Sequence, residues 1–318
     1  MPTLLITGGA GFIGSSLIAQ IIDKYKIICV DNFNSYYSPA RKQVNIEIFI
    51  QHKNFTLYKT DIRSLDNLKP IFNNNKIDKV VHLAARAGVR PSIQNPRLCE
   101  SVNVKGTLNL LELAREFKIP HFIFASSSSV YGDQTKTPFT ETDPVNEPVS
   151  PYAATKKAGE MLCHTYAHLY KIKTTCLRFF TVYGPKGRPD MAPYLFTQAL
   201  LTNKAISKFG NGQSQRDYTY IDDIVIGVIK AIEKEFDFEI FNLGNNHPVT
   251  LNDFIKILEE ITNKKAQIIN LPTQAGDVKT TYADIAKAKK MLDWQPQTSL
   301  KQGLKQFLDW YSNNRLNS

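Results

Sequence analysis

Cysteine is scarce in this chain, and a long apolar run is missing altogether. Only four cysteines, Cys29, Cys99, Cys163 and Cys176, occur in 318 residues. They share no Cys-x-x-Cys spacing and sit inside apolar stretches. That excludes a disulfide-built scaffold and fits reduced core thiols of a cytoplasmic protein. No stretch approaches the roughly 20 apolar residues that cross a bilayer, so no membrane span is expected. No secretory leader is expected either, because an apolar strand starts at Thr3 and feeds directly into a glycine turn. The net charge is +10, yet lysine and arginine are spread along the chain without a basic block or aromatic–basic interleaving. This reads as a solvated lysine-rich surface, with no nucleic-acid module. His164 and His168 stand four apart on a helical pattern. No glutamate follows His164 and no third ligand is evident, so no metal is expected. Internal repeats and low-complexity tracts are absent too.

What is present is an alternation of strand and helix patterns through about residue 180, which predicts a doubly wound parallel α/β sheet. Thr3 to Thr7 reads as a buried strand. Gly8-Gly9-Ala10-Gly11-Phe12-Ile13-Gly14 follows, then the helical apolar pattern Leu17, Ile18, Ile21, Ile22. Strand, glycine turn and helix in that order form a dinucleotide site: glycine lets backbone approach a pyrophosphate, and the helix N-terminus offers free amides. Gly8, Gly11, Phe12, Ile13 and Gly14 are its candidates. A second strand, Lys26 to Val30, ends in Asp31, with Asn32 beside it. An acid there accepts from both ribose hydroxyls of NAD and repels the extra phosphate of NADP, and no arginine follows immediately. Asp61 and Ile62, after the strand Phe55 to Lys59, are placed to meet the adenine. The strand from Val80 runs into Leu83, Ala84 and Ala85, where a cofactor can pass close. Asn103, on a long helix, is a further cofactor candidate, and a plain structural role suits it equally.

The chemistry is carried by Ser150-Pro151-Tyr152-Ala153-Ala154-Thr155-Lys156. Ser150 suits an N-cap and Pro151 the first helical position, so a helix starts here. Tyr152 and Lys156 then share a face. A free phenol, with a pKa of about 10, is a poor base at neutral pH. One cation at about 4–6 Å supplies roughly 3–4 kcal/mol at an effective dielectric of about 20, enough to lower it by about 3 units. Upstream, the strand Phe122 to Ala125 runs into four serines. Ser127, at the carboxyl end of a parallel strand, is the candidate to share a hydrogen bond with Tyr152 and a substrate hydroxyl. Ser126 and Ser128 flank it toward cofactor and substrate. Arg216, in the turn before Asp217-Tyr218, is a candidate for a diphosphate, which a guanidinium binds bidentately.

Together these segments resemble the extended short-chain dehydrogenase/reductases, and among them the nucleotide-sugar epimerases. The resemblance covers nearly the whole chain: TGGAGFIG, SSSSVYG, YAATK, LRFFTVYGP, NGQSQRDYTYIDD and the late Gly276-Asp277. It implies a Ser127–Tyr152–Lys156 triad and a tightly held NAD. The turn Ala87-Gly88-Val89-Arg90, the stretch Tyr166 to Tyr170 and the run from Arg178 through Gly187-Arg188-Pro189-Asp190 look like the UDP-glucuronate 4-epimerases. Thr181 stands where UDP-galactose 4-epimerases usually carry asparagine. Serines stand where dehydratases usually carry an Asp-Glu pair. The resemblance further implies substrate roles for Arg90, for Thr181 and Arg188 around the sugar carboxylate, for Phe209 against uracil and for Asp277 near the ribose or its arginine partner. Two positions depart from the pattern: Lys186 replaces a usual tryptophan and Arg86 a usual glutamine, both adding positive charge near the expected substrate side.

The expected organisation is an NAD-binding Rossmann domain over 1–178, with 221–243 returning to it. A smaller nucleotide-sugar domain is expected over 179–220 and 244–318, with helices near Pro193–Leu201, Leu251–Thr262 and Leu300–Tyr311. A homodimer through helices near Asn95–Phe117 and Tyr152–Tyr170 is implied by the resemblance. The leading activity is 4-epimerisation of UDP-glucuronate. UDP-N-acetylhexosamine, UDP-N-acetyl-uronate and UDP-glucose stand as alternative substrates, UDP-glucuronate decarboxylation as an alternative reaction, and NAD sensing without catalysis as an alternative class.

Overall fold

The computed structural model describes residues 1–273 and 278–315. Six parallel strands come first: β1 (Thr3–Thr7), β2 (Lys26–Asp31), β3 (Phe55–Lys59), β4 (Lys79–His82), β5 (His121–Ser127) and β6 (Lys173–Phe179). Helices on both faces bury them, which is why β1 and β5 read as near-continuous apolar runs. The chain then departs through β7 (Thr181–Tyr183), helix Ala192–Leu201, β8 (Ile206–Phe209) and β9 (Gln215–Tyr220). Helix Ile221–Glu233 carries it back, and β10 (Phe238–Leu243) pairs with β6 in parallel. The large sheet has the order β10-β6-β5-β4-β1-β2-β3. The expected doubly wound parallel sheet is therefore present. The order reverses between β1 and β4, and ligands bind at the carboxyl ends of strands at such a switch point.

The remainder builds a smaller layer around β9, which pairs with β7, with β11 (Pro248–Thr250) and with β13 (Thr280–Thr281). β12 (Ile268–Leu271) pairs with β8. Asp217 in β9 ties the layer together: its carboxylate accepts from the backbone of Asn245, Asn246 and Ala283. One continuous apolar core runs from Leu4, Ile6 and Ile18 to Phe254, Leu258, Trp294 and Leu304. The opposite face of the sheet packs Leu5, Val80, Leu110, Phe122 and Cys163. The four cysteines are buried and free.

Two expectations are revised. The long helix near 95–117 is three pieces: Pro96–Glu100, a π-helical turn Ser101–Lys105, and Gly106–Glu116. The wider turn carries Asn103, whose carbonyl accepts from Thr107 Oγ1 at 2.6 Å. The strand from Val80 stops at His82, where the Thr7 hydroxyl accepts from the Ala84 amide at 3.2 Å and ends the ladder.

Candidate active site

A cavity of about 920 Å³ opens over the carboxyl ends of the central strands. Its floor begins at the glycine turn. Gly8 has φ +70°, and a Cβ there would lie 2.8 Å from the Ala84 nitrogen. A Cβ on Gly14 would lie 2.4 Å from the Gly8 carbonyl oxygen. Backbone therefore fills the space side chains would need, so these glycines permit the tight turn and the close packing of helix on strand that a dinucleotide fingerprint requires. Helix Phe12–Ile21 starts at Gly11 with no side-chain cap, leaving its first amides to a ligand. At the end of β2, Asp31 accepts from the amides of Phe33 at 2.9 Å and Ala10 at 3.2 Å. Burial pushes its pKa up, opposed by those amides and by Lys42. The residues present fit a dinucleotide.

The candidate base, Tyr152, lines the same cavity. Ser150 caps helix Pro151–Tyr170 by accepting from the Ala153 amide at 3.1 Å. The Tyr152 amide is taken by Ser92 Oγ at 3.0 Å. One turn on, the Lys156 ammonium lies 6.0 Å from the Tyr152 ring centroid and donates to the Ala125 carbonyl at 2.7 Å. Burial lowers the Lys156 pKa to about 8. Burial raises that of Tyr152, while the hydrogen bond with Ser127 and the charge of Arg188 pull it down. Ser127 itself ends β5, held by Ser129 through its amide at 3.2 Å and its hydroxyl at 3.1 Å.

Beneath the triad lies a sealed ion pair. Glu160, one turn beyond Lys156, accepts from Arg178 Nε at 2.8 Å and Nη2 at 2.9 Å. It also accepts from Ser126 Oγ at 2.6 Å. This network ties helix Pro151–Tyr170 to β5 and β6 directly below the serines.

The cavity gathers nearly all residues singled out from the sequence. Gly8, Gly11, Phe12, Ile13, Gly14, Asp31, Asn32, Asp61, Ile62, Leu83, Ala84 and Ala85 line it. So do Ser126, Ser127, Ser128, Tyr152 and Lys156, and Arg90, Thr181, Arg188, Phe209 and Arg216. Asn103 and Lys186 lie off the cavity wall, and Asp61 stays on it with its carboxylate engaged. Asn103 is off the wall: its amide bridges the Arg86 backbone at 2.7 and 3.1 Å and Thr155 Oγ1 at 3.0 Å, so it clamps a loop. The Asp61 carboxylate is engaged by Arg63 and Asn32, which lowers its pKa to about 2. Lys186 turns to the Asn45 carbonyl at 3.3 Å and does not line the cavity. Asp277 lies outside the described residues.

A family model described as GDP-mannose 4,6 dehydratase matches residues 5–307. The chain belongs to that family. Within the GDP-mannose 4,6-dehydratase family it is similar to a UDP-glucuronate 4-epimerase of Thermodesulfobacterium geofontis, 44% identical over 99% of this chain and 97% of that protein. It is similar in structure to the UDP-glucuronic acid 4-epimerase of Bacillus cereus in complex with UDP-glucuronic acid and NAD. That match has a TM-score of 0.92 and 36% identity over 98% of this chain and 99% of the other. A UDP-glucose 4-epimerase of Thermotoga maritima with UDP-glucose matches at a TM-score of 0.91 and 34% identity, covering 98% and 99%.

Sequence reasoning missed several residues on the wall of this family member. Tyr36, Tyr37 and Lys42 come from the loop and helix after β2, Arg63 from the turn after β3, and Asp190 from the segment after β7. The adjacent tyrosines in a polar loop just past Asp31 were the available signal. Among the described residues no group of three or more His, Cys, Asp or Glu side chains could hold a metal. No described helix is long and apolar enough to cross a membrane.

Proposed function

We propose that the protein is an NAD-dependent UDP-sugar 4-epimerase acting on UDP-glucuronate to give UDP-galacturonate. The observation that carries the reading is Tyr152, with Ser127 and Lys156, on the wall of one cavity that the glycine turn, Thr181 and Arg188 also line. Similarity over nearly full length to an epimerase bound to UDP-glucuronic acid and NAD supports it. Asp31 at the end of β2 supports NAD over NADP, and Arg63 is tied to Asp61.

In this reading Tyr152 takes the proton of the sugar 4-hydroxyl, and Ser127 shares that hydrogen bond as the proton moves. A bound NAD would supply a reversible hydride acceptor for carbon 4 of the sugar, allowing hydride to be returned to either face. Gly8, Gly11, Phe12, Ile13 and Gly14 would cradle its pyrophosphate, Asp31 with Asn32 its ribose, and Asp61 with Ile62 the adenine side. Lys156, anchored on the Ala125 carbonyl, keeps positive charge beside the phenol. Tyr152 then gives the proton back. Arg216 faces the diphosphate, Phe209 the uracil, and Arg90, Ser128, Thr181 and Arg188 the sugar. A 4-keto uronic acid tends to lose carbon dioxide, so holding the carboxylate also protects the intermediate.

The substrate-binding unit in this reading is 179–220 with 244–318, set against 1–178 with 221–243. A homodimer is supported by Leu108, Met161 and Leu169, apolar side chains 38, 59 and 58% exposed on helices Gly106–Glu116 and Pro151–Tyr170. The product suits polysaccharide synthesis, and the buried free thiols suit the cytoplasm.

Proton NMR of UDP-glucuronate with purified protein and no added NAD tests the reading. UDP-galacturonate at a steady ratio is expected. Conversion of UDP-glucose or UDP-N-acetylglucosamine alone would overturn the substrate, and a pentose product would replace epimerisation by decarboxylation.

A further inference from the structure

We infer that Tyr36 and Arg86 set a preference for an acidic over a neutral sugar, Tyr36 as the positioning residue that fixes Arg188 and Arg86 as a second positive charge beside it. This rests on the reading of Arg188 as a group facing the sugar carboxylate.

Three loops meet at one phenol. Tyr36 lies beyond β2, Arg86 and Gly88 beyond β4, and Arg188 and Asp190 beyond β7. The Tyr36 hydroxyl donates to Asp190 Oδ2 at 3.0 Å and accepts from Arg188 Nη2 at 2.8 Å. Arg188 in turn donates to Asp190 through Nε at 3.0 Å and Nη2 at 2.5 Å. One edge of the guanidinium is thereby committed. Its Nη1 makes no hydrogen bond among the described residues and is not among their sealed polar atoms, and Arg188 lies on the cavity wall. A planar guanidinium with one edge spent presents its remaining nitrogen in a fixed direction.

The clasp is tight. A Cβ on Gly88 would lie 3.0 Å from the Tyr36 hydroxyl and 3.4 Å from Arg188 Nη2. The Arg86 guanidinium carbon lies 4.4 Å from the Tyr36 ring centroid and that of Arg188 5.2 Å. Two cations thus share one ring, and the cluster holds a single carboxylate, Asp190. The local excess of one positive charge rewards a uronate and gives a neutral hexose nothing. Arg86 is one of the two positions where this chain departs from the pattern it otherwise resembles. Removing the Tyr36 hydroxyl would leave Arg188 tied to the exposed Asp190 alone, free to follow it away from the sugar.

The test is isothermal titration of UDP-glucuronate and of UDP-glucose into the protein with its dinucleotide bound, before and after substitution. Tyr36→Phe keeps the ring and removes only the hydroxyl. It is expected to weaken UDP-glucuronate about tenfold, as loss of a hydrogen bond to a charged group does, and to change UDP-glucose by less than about twofold. Arg86→Gln, on a half-exposed side chain, is expected to move the two affinities in the same sense and carries the test should Tyr36→Phe fail to fold. Equal losses for both nucleotide sugars, or no loss for either, would overturn the inference. Equal affinities in the unaltered protein would instead defeat the reading of Arg188 itself. A preference for UDP-glucuronate that survives both substitutions would defeat only the roles of Tyr36 and Arg86.

Discussion

In the proposed reading Tyr152 is the base and Lys156 the charge beside it: burial pushes the phenol up, Ser127 and Arg188 pull it back, and burial pushes the ammonium down. Tyr152→Phe removes the proton acceptor and little else, since the hydroxyl is the only group lost. Turnover is expected to fall by about 10²–10⁴ or more with the circular dichroism spectrum and melting midpoint unchanged. Activity within tenfold of the parent would remove Tyr152 from the chemistry. Lys156 makes a prediction about pH. Its proton leaves the folded protein near pH 8, whereas an unfolded lysine keeps it to about 10.4. Between those values the unfolded chain binds more protons, so rising pH favours folding through this group, and below pH 8 the burial cost stands in full. Denaturant midpoints of the parent and of Lys156→Met at about pH 7 and about pH 10 should differ by a pH-dependent increment on the order of 3 kcal/mol, the parent gaining at the higher pH. Parallel curves would contradict it. These residues were legible in the sequence because their spacing is local: four residues on one helix. Tyr36 was not, since its partners Arg188 and Asp190 lie far along the chain and meet it only through the fold.

At the scale of elements, helix Pro151–Tyr170 is both the carrier of the proposed base and a buttress. Its Glu160 holds Arg178 of β6 and Ser126 of β5 in a site closed to water. Glu160→Gln would strand the guanidinium, whose Nη1 already lacks a partner among the described residues. Breaking a buried pair from one side typically costs about 3–5 kcal/mol. Urea denaturation should show a loss of that size, and a change below about 1 kcal/mol would mean that water reaches Arg178. The parallel sheet was readable because continuous apolar strands alternate with amphipathic helices. The π-helical turn Ser101–Lys105 was not, because it is set by the fit of Asn103 to the Arg86 loop and of Gly106 to Ile62, not by helix propensity. The early end of β4 has the same origin, a contact with Thr7 in another strand.

The whole molecule joins two layers through one core, and its cavity draws walls from both. Met161→Glu together with Leu169→Glu places charge on the exposed helix face. For the proposed homodimer, light scattering should then report a fall from dimer to monomer with the α/β spectrum retained; a monomeric parent would defeat the homodimer, and an unaltered dimeric mass would move the interface elsewhere. Strand β10 carries a different consequence, one that concerns how the chain is made. It reaches the sheet only after β7, β8, β9 and helix Ile221–Glu233 have been laid down. A chain still growing at Lys234 already holds the glycine turn, the serines and the tyrosine helix, yet β6, paired with β5 on one side, has an outer edge with no partner until β10 arrives. Bare strand edges recruit other strands. The interval between β6 and β10 is thus the stretch of synthesis in which this protein is most exposed to sticking to its own copies, and fragments ending there should be lost to aggregation before any want of catalytic residues is felt.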